Sequence, residues 1–382
     1  MRSNYKKLGE YIRPVDERNS DLAISNLQGV SITKEFVPSI ANIIGTDLST
    51  YKIVRTGQFA YGPVTSRNGD KISIALLKGK DCIISSSYSP FEVYRPDELL
   101  PEYLMLWFRR PEFDRYARFM SNGSAREVFD WDCMCSVELP VPPIEEQRKI
   151  VHDYQVITDR IALLRKINEN QEEILTSTFK KIFIENLSIE YSKQKLGEIT
   201  ETIDNRGKTP PNDTLDTPYP LIEIASLRTA GRMISYENCT KFINLSTYQN
   251  WFRSGHPKQK DILMSTVGSL AELKLFWGKK GAIAQNIVAF RCKKEKLAMY
   301  LYQHLLNKRN DLVAYEIGSV QASIKVSQVI DYEIPIPPDW ILEKFDEIST
   351  KITEKIFIVE EEIIVCRKLL NLTLKKLSSM NL

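Results

Sequence analysis

The sequence predicts two lobes in tandem, each followed by a long helix, with the two helices pairing with one another. An internal repeat of whole-domain size points to this plan, as do a heptad-spaced apolar series in each copy and a proline element ahead of each helix. Lys7-Leu8-Gly9-Glu10 recurs as Lys195-Leu196-Gly197-Glu198, 188 residues later. Gly123-Ser124 recurs as Gly318-Ser319, and Pro140-Val141-Pro142-Pro143 as Pro335-Ile336-Pro337-Pro338, both 195 residues later. Equal offsets need no gap, and the match runs on to Thr178-Phe179-Lys180-Lys181-Ile182 over Thr373-Leu374-Lys375-Lys376-Leu377. Between these shared ends, little of 11–122 matches 199–317, so the frame repeats while its contents vary.

The division that follows is a first lobe over 1–143, a first helix over 144–186, a second lobe over 187–338 and a second helix over 339–382. At 382 residues the chain exceeds what one core comfortably supports. With 43% hydrophobic and 26% charged residues it has the composition of an ordinary globular protein.

In the first helix the predicted seam is Ile150, Tyr154, Ile157, Ile161, Leu164, Asn168, Gln171, Leu175, Thr178 and Ile182. Shifted by 195 residues it reads Phe345, Ser349, Ile352, Ile356, Val359, Ile363, Cys366, Leu370, Thr373 and Leu377. Steps alternate four and three, as in a coiled coil. A seam of roughly 50 Å is too long and narrow to be one lobe's private core, so each helix needs the other as partner. Asn168 and Gln171 are polar seam positions suited to setting register or to lying in solvent where the stripe drifts. Each Pro-x-Pro-Pro element stops helix before it, and Glu145 and Glu146 place acids in the first turn that follows.

The lobe-to-helix junction carries a family resemblance. Gly123-Ser124-Ala125-Arg126, Trp131 and Glu138-Leu139-Pro140-Val141-Pro142-Pro143-Ile144-Glu145-Glu146-Gln147-Arg148-Lys149-Ile150-Val151 resemble the junction of type I restriction-modification specificity subunits. In the first lobe, Gln58-Phe59-Ala60-Tyr61, Thr65-Ser66-Arg67-Asn68-Gly69 and Ser86-Ser87-Tyr88-Ser89-Pro90-Phe91 are similar to that family's target-recognition domains. In the second, Lys260-Asp261-Ile262-Leu263, Val267-Gly268-Ser269 and Ala284-Gln285-Asn286 do the same. The second junction lacks the Glu146-Gln147 pair, which suggests that the two copies dock partners unequally.

The resemblance implies two α/β (α+β) recognition domains on an antiparallel coiled-coil pair with pseudo-two-fold symmetry. It also implies a DNA target split into two different halves, one read by each domain. The expected partners are double-stranded DNA, two modification (methyltransferase) subunits and restriction/translocase subunits. No cofactor is expected in this chain; S-adenosylmethionine, ATP and Mg are expected on the partners. A coiled-coil scaffold with two protein-binding lobes and no DNA role is the alternative.

Base reading calls for Arg, Asn and Gln, and phosphate contact for Lys, Arg, Ser and Thr. The first-lobe candidates are Lys52, Arg55, Gln58, Tyr61, Ser66, Arg67 and Asn68. Those of the second lobe are Arg206, Lys208, Arg228, Arg232, Trp251, Arg253, His256, Lys258 and Gln285, with Lys260 beside them. Charge supports the second lobe alone: 187–338 holds twenty Lys/Arg against fifteen acids, whereas 1–144 balances at eighteen each.

Catalytic signatures are scarce. Thr209-Pro210-Pro211-Asn212 has the wrong neighbours for an amino-methyltransferase loop, and Gly278-Lys279-Lys280-Gly281 is no phosphate-cradling loop. Asp261, Glu272 and Lys274 mimic a nuclease spacing. The six cysteines form no C-x-x-C pair, and the polar N-terminus and short apolar runs point to the cytoplasm rather than a membrane or secretion. A chain that recognises DNA and catalyses nothing itself is the expectation.

Overall fold

The computed structural model describes residues 5–40, 45–66, 68–121, 127–185, 191–207, 209–212, 217–318 and 322–379. It divides into two compact units, residues 1–160 with 366–382, and residues 161–365. Each unit thus contains one lobe and a stretch of both long helices.

The first unit is built on an antiparallel sheet whose strands lie in the order Ile12–Pro14, Ser89–Val93, Phe59–Tyr61, Ile74–Leu76. All three residues of the strand Phe59–Tyr61 are buried, because both faces of the sheet are covered. Phe59 and Tyr61 belong to the large core that includes the helix Pro101–Phe108, while Ala60 belongs to a smaller cluster with Val54, Cys82 and Ile84. Period-two alternation is what separates the two cores.

In the second unit the strands Thr200–Ile203, Ile287–Cys292, Ile262–Ser265 and Leu273–Leu275 follow the same order, again antiparallel. Ile262 and Met264 face the larger core, Leu263 the smaller. The interior of the two lobes therefore shares a topology that their residues do not reveal.

The shared sequence elements close each lobe on itself. Tyr5–Lys7 pairs antiparallel with Glu138–Pro140, and Ser192–Lys195 with Glu333–Ile336. Leu8 and Leu196 are fully buried beside them. Gly9 packs so closely on the helix Trp131–Cys135 that an added Cβ would lie 2.9 Å from Cys135 Cβ, and at Gly197 it would lie 3.1 Å from Ile330 Cβ. Tyr103 and Tyr300 donate their hydroxyls to Pro140 O and Pro335 O, at 3.0 and 2.6 Å. The repeated glycine and proline elements are thus the seam of each lobe.

The long helices run Ile144–Phe179, continued by a π-helical turn at Lys180–Ile184, and Asp339–Ser379. Within the second unit they pair antiparallel: Asn168 Nδ2 donates to Glu360 Oε1 at 2.7 Å, whereas Phe179 further along meets Phe345 with ring centroids 5.9 Å apart. In the first unit Ile150 and Tyr154 pack in the lobe core that also takes in Leu374 and Leu377, and Ile157 borders a cleft with Leu369 and Leu372.

Ile161, Leu164, Leu175, Phe345, Ile356, Ile363 and Leu377 are buried; Ile150, Tyr154, Ile157, Ile182, Ile352, Val359 and Leu370 are half-buried. The stripe departs from a strict heptad, since Phe179, Thr353 and Leu374 are buried next to the expected Thr178, Ile352 and Thr373. A 3.6-residue helix drifts by about 20° per heptad against a 3.5-residue repeat, which moves the buried position by one.

Candidate nucleic-acid interface

Gln147 of the first junction is wholly buried and faces its own lobe. Its amide donates to Glu98 O at 2.7 Å and Pro142 O at 2.8 Å, and its carbonyl accepts Leu100 N–H at 2.9 Å. Leu342, 195 residues on, is buried in the apolar core of the second unit. Gln147 thus anchors the first junction to its own lobe by hydrogen bonds, where Leu342 anchors the second by apolar packing.

Two nominated readers lie in the interior. Tyr61 is 1% exposed, stacked edge-on against Phe91 and Phe129 in the first lobe's core. Arg232 is 2% exposed, and its guanidinium grips Glu172 of the first long helix, with Nε 3.0 Å from Oε1 and Nη2 2.8 Å from Oε2. Neither can meet a base edge. Residue type, which points to both, is blind to burial.

Others sit at the surface but are engaged. Arg55 bonds Asp81 Oδ2 at 2.8 Å and both carboxylate oxygens of Glu17, which raises its pKa further. Gln58 accepts Arg55 N–H at 2.8 Å and donates to Glu92 Oε2 at 2.9 Å. Lys52 donates to Tyr88 O at 3.0 Å. Arg206 forks onto Asp204, with Nη2 to Oδ2 2.6 Å, and Arg253 Nε reaches Asp204 O at 3.3 Å. His256 stacks on Tyr248 with centroids 3.6 Å apart and planes 4° from parallel, and burial lowers its pKa. Lys260 is held by Asp346 at 3.1 Å.

The remaining candidates present their side chains outward. Ser66, Arg228, Trp251, Lys258 and Gln285 are exposed and Asn68 half-exposed, with no side-chain hydrogen bond or ion pair among the described residues. Arg67 and Lys208 lie outside the described residues, as do Gly123, Ser124, Ala125, Arg126 and Ser319.

The nuclease-like spacing dissolves in three dimensions. In the antiparallel pair of Ile262–Ser265 with Leu273–Leu275, Asp261 lies opposite Phe276 and Glu272 opposite Ser265, at the two ends of the ladder. Four residues of strand, about 13 Å, separate them. Asp261 is occupied by Arg291 at 2.7 Å and by Lys258 N–H at 2.7 Å, and Glu272 by Arg309 at 2.9 Å. Lys274 is buried, its ammonium donating to Thr229 O at 2.6 Å and to Gly231 O, and burial lowers its pKa to about 8. Among the described residues no group of His, Cys, Asp and Glu could hold a metal ion, and no helix is long and apolar enough to cross a membrane.

Comparison with known proteins agrees with this architecture. The family model described as type I restriction modification DNA specificity domain matches twice, over residues 33–173 and 189–361. The type I restriction enzyme MjaIX specificity subunit of Methanocaldococcus jannaschii is 23% identical over 310 residues, 74% of this chain and 69% of that protein. The HindI specificity subunit of Haemophilus influenzae is 25% identical over 187 residues, 47% of this chain and 40% of that protein. The S subunit of a type I restriction-modification system from M. genitalium has a similar fold, with a TM-score of 0.59 at 13% identity over 98% of this chain and 95% of that one. With both lobes matched and most of the chain covered, this protein belongs to the type I restriction-modification DNA specificity family, carrying its recognition domain twice in tandem.

Proposed function

We propose that the chain is the non-catalytic subunit that gives a type I restriction-modification complex its DNA sequence specificity. The lobe over 1–143 reads one half of a bipartite, asymmetric target and the lobe over 187–338 reads the other. The helices over 144–186 and 339–382 are the spacer elements that follow each lobe. Two modification subunits carrying S-adenosylmethionine, and restriction/translocase subunits using ATP and Mg, supply the chemistry in the cytoplasm.

The observation that carries this reading is the repeated four-stranded sheet, closed by the same motifs but furnished with different surface residues. A constant frame with variable contents suits two readers of unlike half-sites. Ser66, Asn68, Arg228, Lys258, Gln285 and Trp251 are the side chains best placed to contact DNA, because each is outward-facing and uncommitted among the described residues. Arg55, Gln58 and Arg206 hold their loops, and would have to exchange partners to reach a base.

Adenine methylation mapped genome-wide in a host expressing this chain with its modification subunits tests the proposal. One split motif, methylated once in each half, is the expected result. Methylation without a split motif, or none, would favour a protein-binding scaffold.

A further inference from the structure

Arg232 ties the second lobe's sheet to both long helices at one point. Its carbonyl accepts Leu275 N–H at 2.9 Å and Met233 bridges to Leu275, so its backbone extends the edge of the sheet. Its side chain leaves that edge and forks onto Glu172 of the first long helix, while Nη1 donates to Thr353 Oγ1 of the second at 3.1 Å. Its own backbone N–H also donates to Glu172 Oε1, at 2.9 Å.

The surroundings hold this arrangement in place. Gln303, 3.5 Å from Nη2, donates in turn to Thr176 Oγ1 at 3.3 Å, a second tie to the first helix. The loop that delivers Arg232 is fixed by Lys274, whose ammonium donates to Thr229 O and Gly231 O, and Gly231 adopts φ +74° directly against Glu172.

A buried ion pair contributes little net stability compared with apolar packing, because desolvation offsets the attraction. What a forked guanidinium does supply is geometry: two parallel bonds fix a plane and an angle. We infer that Arg232, gripped by Glu172 and Thr353, is a positioning residue that fixes how the second lobe's sheet is set on the helix pair, and so which spacer length between half-sites the chain accepts. This inference rests on the proposed function.

The test uses the complex with its modification subunits and duplexes that carry the same two half-sites separated by the native spacer or by one base pair more or fewer. Adenine methylation is measured for wild type, Arg232→Lys, which keeps the charge but loses the fork, and Glu172→Gln. The ratio of native-spacer to altered-spacer methylation should fall about tenfold or more in both variants, with half-site bases unchanged.

An unchanged ratio in a variant with a wild-type circular dichroism spectrum would overturn the inference. So would a change in the bases preferred in one half, which would make Arg232 a reader. If Arg232→Lys fails to fold, Glu172→Gln alone decides. Wild-type complex that methylates no split target at any spacer would instead refute the proposed function, and this inference with it.

Discussion

Gln58 in the first lobe and Asp261 in the second occupy the same structural position. Each accepts the backbone N–H of the residue three before it, Arg55 or Lys258, and each returns its own N–H to that residue's carbonyl. Each is preceded by a left-handed residue, Gly57 at φ +90° or Lys260 at φ +68°. Each pairs with the residue at the same register position of the neighbouring strand, Glu92 or Arg291. The scaffold is conserved between the lobes and its chemistry is rewritten, from amide with carboxylate to carboxylate with guanidinium.

That equivalence makes the pairs exchangeable. Arg291→Glu alone should destabilise the protein by about 2–4 kcal/mol, since it leaves the buried Asp261 facing a like charge, and Asp261→Gln alone by less, since the Arg291 it leaves is only half-buried. The double variant rebuilds the first lobe's pair in the second and should recover more than half of the loss. Urea denaturation in a double-mutant cycle measures the coupling.

Adjacent residues of the first long helix give a contrast. Leu164 is 1% exposed and Leu163 is 54% exposed. Leu164→Ala should cost about 2–4 kcal/mol and Leu163→Ala less than about 0.5 kcal/mol in thermal or urea unfolding. Equal effects would contradict the seam.

The repeated glycines should respond unequally. At Gly9 a methyl group would stand 2.9 Å from Cys135 Cβ and 3.2 Å from Cys135 O; at Gly197 it would stand 3.1 Å from Ile330 Cβ. Gly9→Ala is expected to lower stability by about 1–3 kcal/mol and Gly197→Ala by less, as judged by melting temperature.

His304 should govern part of the acid limb of stability. It is buried beside Tyr300, and burial lowers its pKa to about 4. The folded state therefore opposes protonation that the unfolded chain accepts near pH 6.5. Stability should decline as pH falls from 6.5 toward 4, by up to about 3 kcal/mol, and the loss should be complete below 4. His304→Phe should flatten this stretch of the urea-midpoint profile.

The tandem plan was legible in the residues because glycine and proline at fixed offsets carry strong backbone constraints, and these recur at Gly9 and Gly197 and at the two Pro-x-Pro-Pro elements. The matching sheets were hidden because period-two burial can be met by Phe59-Ala60-Tyr61 or by Ile262-Leu263-Met264 equally well. Candidate readers were the least legible part. Residue type nominates Tyr61 and Arg232 as readily as Arg228 and Gln285, but only the packing of distant segments shows which side chains face inward.

The most direct test of modular recognition exchanges the lobe over 1–143 for the corresponding lobe of another specificity subunit and maps adenine methylation in the host. One half of the methylated motif should change, with the other half and the spacer retained. A change in both halves, or in neither, would contradict the account.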